Sequence, residues 1–116
     1  LSQAKEKIPS IVRSADDIVI GPKRMTKYEK ARIIAARALQ LAMGAPPLID
    51  VSKLEFKDPV IIAEKELEAG YLPMIIKREL PNGQFQLIPV KVLIESERNR
   101  KKRVEELMKN IFGVSV

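Results

Sequence analysis

The stretch that decides the fold is Thr26 to Asp50, TKYEKARIIAARALQLAMGAPPLID. Thr26 and Glu29 stand at capping-box spacing, so the Thr26 hydroxyl can accept from the Glu29 amide while the Glu29 carboxylate reaches back to the Thr26 amide. Residues Lys27 to Met43 all tolerate a helix. Gly44 suits the left-handed position that ends one, and Pro46 and Pro47 forbid continuation. At about 100° per residue, Ala31, Ala35, Ala38 and Ala42 form one narrow stripe, flanked by Ile34 and Leu41 on one side and Tyr28 and Leu39 on the other. Ile33 projects among Glu29, Lys30, Arg37 and Gln40. So much apolar circumference in a short chain implies contact with another protein, and the stripe predicts that bulk at Ala38 obstructs it. Arg37, in an almost wholly apolar setting, requires a carboxylate or carbonyl partner.

The rest of the chain divides around this helix. Residues 1–25 read as an N-terminal tail that orders only against a partner: Ile8, Ile11 and Val12 have the spacing of one helical turn after Lys5, but Pro9 interrupts it, which leaves a short extended piece at Asp17 to Ile20. After the helix, Leu48 to Val51 is extended, and Leu54 and Phe56 are expected as core anchors. Asp58-Pro59 is an N-cap followed by proline at the first helical position, predicting a second helix from Pro59 to Ala69 that stops at Gly70. Val60, Ala63 and Leu67 would share its inner face, with Glu64, Lys65, Glu66 and Glu68 wet. Tyr71 to Leu80 and Gln84 to Ile94 flank Pro81-Asn82-Gly83, which predicts a β-hairpin with a type I′ turn. Ser96 to Phe112 predicts a third helix, with Val104, Leu107, Met108 and Ile111 at helical spacing and Arg98, Arg100, Lys101, Lys102 and Arg103 near its start.

Composition bounds the function. The chain has 116 residues, 21 Lys and Arg against 15 Asp and Glu, and a net charge of +6, which favours an acidic or nucleic-acid neighbour. Without cysteine there is neither a disulfide framework nor a zinc ribbon, and an intracellular setting is expected. Without histidine, nucleophile–imidazole pairs and imidazole metal sites are excluded. No phosphate-cradling glycine motif is present. Asp16-Asp17, adjacent on an extended segment, would point to opposite faces and makes a poor acid–base or metal pair. No apolar run approaches the roughly 20 residues of a membrane helix. The basic run from Arg98 to Arg103 is either a solvated face or a contact for nucleic acid or an acidic chain, and Lys77-Arg78 is open in the same way. With few aromatics, stacking on single strands is not expected.

Several motifs in order then carry a resemblance: Thr26-Lys-Tyr28-Glu29-Lys-Ala31-Arg32-Ile33-Ile34, Ala36-Arg37-Ala38-Leu39-Gln40, Gly44-Ala45-Pro46 with Leu48-Ile49-Asp50, Asp58-Pro59 with Ile62-Ala63 and Glu66-Leu67, and Ile76-Lys77-Arg78 with Leu80-Pro81-Asn82-Gly83. Over Thr26 to Val90 the chain resembles the family of RNA polymerase subunits that comprises archaeal subunit K, the eukaryotic common subunit and bacterial omega. The resemblance implies an α+β fold, a small two-helix core with a C-terminal β-hairpin, to which this chain adds a C-terminal helix. It divides the sequence into a tail (1–25), a K/omega-like domain (26–94) and a basic helical extension (95–116). It implies a non-catalytic subunit without cofactor or metal, docked on the largest polymerase subunit beside its neighbours and promoting assembly. DNA and RNA would be met only through that complex, in the cytoplasm at the nucleoid and away from membranes. By position, Thr26, Tyr28, Glu29, Arg32, Ile33, Arg37, Gln40, Ala45 and Pro46 would serve docking. Lys77, Arg78, Arg98, Arg100, Lys101, Lys102 and Arg103 are possible basic contacts. Ala35 stands where many relatives carry Gly. A winged-helix-like DNA-binding protein is the alternative, since helices followed by a hairpin in a basic chain fit that order too.

Overall fold

The computed structural model describes residues 8–113, so the first seven residues of the expected tail and the last three of the basic extension lie outside it. Three helices, α1 (Lys27–Ala42), α2 (Pro59–Ala69) and α3 (Val90–Phe112), surround a hairpin of β1 (Ile75–Glu79) and β2 (Phe85–Pro89). The fold class is α+β, with the third helix following the hairpin.

Local chemistry sets the ends of the first two helices. The capping box at Thr26 and Glu29 is formed in both directions, at 3.1 Å and 2.9 Å. At the other end of α1, Gly44 has φ +104°, its N–H donates to the Leu41 carbonyl, and the Ala45 N–H donates to the Gln40 carbonyl. That is a Schellman closure. Asp58 accepts from the Val60 amide at 2.8 Å at the start of α2, and Gly70 closes it in the left-handed conformation.

The hairpin departs from expectation in its turn. Among the described residues no residue other than glycine has positive φ, so Asn82 does not supply the left-handed conformation a type I′ turn needs. Instead the Gly83 N–H donates to Leu80 and the Leu80 N–H donates to Gln84. Pro81 thus sits in a three-residue loop that ends on a left-handed glycine, the other common way to close a hairpin. The strands are also shorter than the apolar runs suggested. Pro89 ends β2 and becomes the residue before α3, which starts at Val90 rather than Ser96. Proline lacks the amide needed to extend a ladder but fits the entry to a helix.

The core joins Val12, Ile18, Met25, Ile33, Leu67, Leu72, Ile88, Val90, Leu93 and Ile94. Three of these come from the stretch expected to be a tail. That expectation is corrected: the leading segment pairs with the hairpin, the Val12 N–H donating to Leu87 and the Leu87 N–H to Ser10, with Ala15–Asp17 a 3-10 turn. The side chain of Gln86 fixes it further. Its carbonyl accepts from the Val19 and Ile20 amides, and its amide donates to the Pro9 and Asp17 carbonyls, all between 2.8 and 3.0 Å. In a fully buried carboxamide with both ends satisfied, the hydrogen bonds offset the cost of desolvation.

Other expectations are corrected by burial. Phe56 is exposed and Leu54 only half-buried, so neither anchors the core. On α2, Val60 is exposed while Ile62, Ala63, Glu66 and Leu67 are buried. Beyond Ser96 every described side chain of α3 is exposed.

Candidate functional site

Two arginines lie in the same kind of structure. Arg37 of α1 meets the Glu66 carboxylate side-on, Nε to Oε1 at 2.6 Å and Nη2 to Oε2 at 3.0 Å. Two further donors reach the Gln40 side chain and the Pro46 carbonyl, and Glu66 also accepts from the Leu48 amide at 2.6 Å. Arg78 of β1 meets Glu29 side-on, both contacts at 2.9 Å, and donates to the carbonyls of Ile20, Pro22 and Arg24. Each fork fastens a loop to a helix: 46–48 in the first case, 20–24 in the second. Planar guanidinium geometry allows this and an ammonium does not. Gly21 is required by the second fork, since it has φ +79° and a Cβ there would stand 3.0 Å from Arg78 Nη1.

The electrostatics follow. Burial raises the pKa of Glu66, but the Arg37 hydrogen bonds, the Leu48 amide and the Arg37 charge outweigh it and hold the carboxyl below its usual value. Glu29 is held low in the same way, burial being outweighed by Arg78 and by the Thr26 cap. Both acids are therefore ionised partners at neutral pH.

The candidate docking residues separate into two sets. Thr26, Glu29, Arg37, Gln40 and Pro46 hold the scaffold, as caps or fork partners, with Ala45 half-buried beside them. Ile33 does not stand on a polar arc; it is buried in the core. Ala38 is buried too, so bulk there would strain the chain's own packing. Tyr28 and Arg32 face outward, the Arg32 guanidinium 5.7 Å from the Tyr28 ring centre. They share their side of α1 with Ala31, Ala35, Leu39, Ala42 and Met43, all exposed; Tyr28 is 71% and Leu39 62% accessible. This is an apolar strip with one charge, on the side of the helix away from its core residues.

The basic candidates divide similarly. Arg78 is buried in its fork, whereas neighbouring Lys77 is exposed, 3.6 Å from Glu79 and 4.9 Å from the Phe85 ring centre. Strand alternation turns the two to opposite faces. Arg98 donates to the Glu68 carbonyl, and Arg100, Lys101, Lys102 and Arg103 are exposed on α3. Among the described residues there is no group of acidic side chains able to hold a metal ion, and no helix is long and apolar enough to cross a membrane.

Sequence reasoning missed Glu66 and Gln86. Glu66 was set on the wet side by its acidic neighbours, yet on a helical wheel it falls between Ile62 and Ala63, both buried. Gln86 shares its strand face with Ile88, and that alternation was the available signal.

Comparison with known proteins gives the chain its relatives. The family model described as RNA polymerase Rpb6 matches residues 20–74, which include both α1 and α2. The chain is 48% identical over 101 residues to DNA-directed RNA polymerase subunit Rpo6 of Pyrobaculum aerophilum, covering 84% of this chain and 95% of the relative. It is 60% identical over 68 residues to the Rpo6 of Sulfurisphaera tokodaii, covering 59% and 79%. For that of Thermofilum pendens the identity is 57% over 74 residues, covering 64% and 90%. Near-complete coverage of an archaeal relative at such identity leaves one conclusion: this chain belongs to the Rpo6/Rpb6 family of DNA-directed RNA polymerase subunits.

Proposed function

We propose that the chain is a non-catalytic subunit that docks on the largest subunit of an archaeal DNA-directed RNA polymerase through the exposed side of α1, and so promotes assembly and stability of the enzyme. The observation that carries this reading is the strip of Tyr28, Ala31, Ala35, Leu39, Ala42 and Met43 left uncovered on a helix whose other side is fastened to the body. Contiguous apolar surface of that kind favours burial against a partner. Small residues at its centre allow close approach, and Arg32 stacked by Tyr28 offers one directional contact at the edge. Thr26, Glu29, Arg37, Gln40, Ala45 and Pro46 would act by holding α1 and its following loop in place. Residues 26–94 would form the docking unit and 95–116 an added arm. The complex would work in the cytoplasm at the nucleoid, and this subunit would meet nucleic acid only through it. A winged-helix alternative gains no support, since the outward side of α1 carries a single cation among alanines.

The test is Ala35→Leu. Ala35 is exposed, so the isolated chain should keep its helix content and melting behaviour. Co-purification with the largest subunit should fall, overpacking at a close interface costing about 1–3 kcal/mol. Unchanged incorporation into the complex would sink the docking reading.

A further inference from the structure

A groove at the root of α3 belongs neither to the two forks nor to the outward strip of α1. Its floor is Met25, Leu67 and Ile94, each less than a tenth exposed, and it offers about 610 Å³. Its rim carries five cations, Arg24, Lys30, Arg98, Arg100 and Lys101, against Glu68 and Glu97. Among the described residues none of the five lies within salt-bridge distance of a carboxylate.

The groove runs into the arm. Leu93, Glu97, Arg100, Val104, Leu107 and Ile111 recur at alternating steps of four and three, the spacing of a helix–helix seam. The side of α3 that buries Leu93 in the body is therefore the side that exposes Val104, Leu107 and Ile111 further out, with Met108 and Phe112 beside them.

We infer that this seam receives an acidic amphipathic helix of another polypeptide chain, its carboxylates among Arg24, Lys30, Arg98, Arg100 and Lys101 and its apolar side on Val104 to Phe112. A helix is the fitting shape because the backbone of α3 is already paired and offers no edge to an extended strand, whereas side chains at seam spacing interlock with those of another helix. The partner is acidic because a rim of cations without a carboxylate partner among the described residues gains attraction and register from carboxylates. A parallel second copy would set the five basic residues from Arg98 to Arg103 against the same five. An antiparallel copy would set them against Glu105, Glu106 and Lys109 and leave Arg24 and Lys30 unpaired. Nucleic acid would satisfy the cations but leave Leu107 and Ile111 in water. The inference does not rest on the docking of α1, since Lys30 lies roughly 200° around α1 from Tyr28.

The test uses the full chain and two synthetic three-heptad peptides with Leu at the seam positions, flanked in one by Glu and in the other by Lys, followed by fluorescence anisotropy. The Glu peptide should bind, more weakly as salt is raised, and the Lys peptide should not. Leu107→Asp with Ile111→Asp should weaken binding at least about tenfold. Arg100→Glu with Lys101→Glu should reverse the preference between the peptides, and this pair keeps the test standing if the double Asp variant loses the helicity of α3. Equal binding of the two peptides overturns the inference. So does a DNA or RNA oligonucleotide that displaces the Glu peptide and binds the double Asp variant unchanged, and so does sedimentation showing self-association that the same substitutions abolish.

Discussion

Arg37 and Arg78 lie in the body, making four and five hydrogen bonds to carboxylates, a carboxamide and carbonyls, while Arg100 and Arg103 stand on α3 in water. The residue type is the same and the physical role opposite. In the body a guanidinium is a structural joint whose loss strands a buried partner; on the arm it is a charge exposed to solvent. The difference teaches that the number of basic residues overstates what this chain can present to a partner, because two of them are neutralised internally, each by one carboxylate, while the net charge stays the same.

The sharpest way to break that contrast is Glu66→Ala. It leaves the Arg37 charge buried and the Leu48 amide without its acceptor, so unfolding free energy should drop by about 3–5 kcal/mol in urea titration. A loss below about 1 kcal/mol would put Arg37 in the same class as the arm. Arg78→Lys keeps the charge but replaces a five-contact fork by a point donor, and about 2–3 kcal/mol should go with the contacts to Glu29 and the 20–24 loop.

Acid offers a third test. Glu29 and Glu66 have folded-state pKa values below the ordinary 4.5. Their contribution is therefore complete above the unfolded-state value and is lost as pH falls through the folded-state values. Thermal midpoints should hold between pH 7 and about pH 5 and then decline, and the decline should be shallower in Glu66→Ala. The smallest effect belongs to the arm. Arg100, Lys101 and Arg103 changed together to Gln should alter the stability of the isolated chain by no more than about 0.5 kcal/mol, since they are exposed surface positions. A larger destabilisation would show that the arm is a joint as well.

The parts legible in the sequence were those decided within a few residues. The Thr26 capping box, the Asp58-Pro59 start and the glycines at 44 and 70 fix helix ends through neighbouring backbone groups, so reading them needed no partner from elsewhere in the chain. Arg37 was legible in part, because an apolar neighbourhood demands a counter-group, though not which one. Glu66, Arg78 and Gln86 were not, because each is decided by a contact between 18 and 77 residues away. Their local neighbours, acidic around Glu66 and basic beside Arg78, pointed the wrong way. The leading segment was misread for the same reason: broken by Pro9 and Gly21-Pro22, it has no periodicity of its own, and its order comes from the hairpin.

That dependence on the hairpin has a consequence for how the chain reaches its native state on a ribosome. Val19 and Ile20 emerge first, but the carboxamide that holds them belongs to a residue 66 and 67 positions later. At roughly 5–20 residues per second this is a wait of about 3–13 seconds. Throughout it Val12, Ile18, Ile20 and Met25 have no β2 to cover them, while α1 and α2 can already pair through Arg37 and Glu66. The nascent chain should therefore pass through a helical stage with an uncovered leading segment, and release from chaperone protection should coincide with synthesis of the second hairpin strand rather than with completion of the two helices.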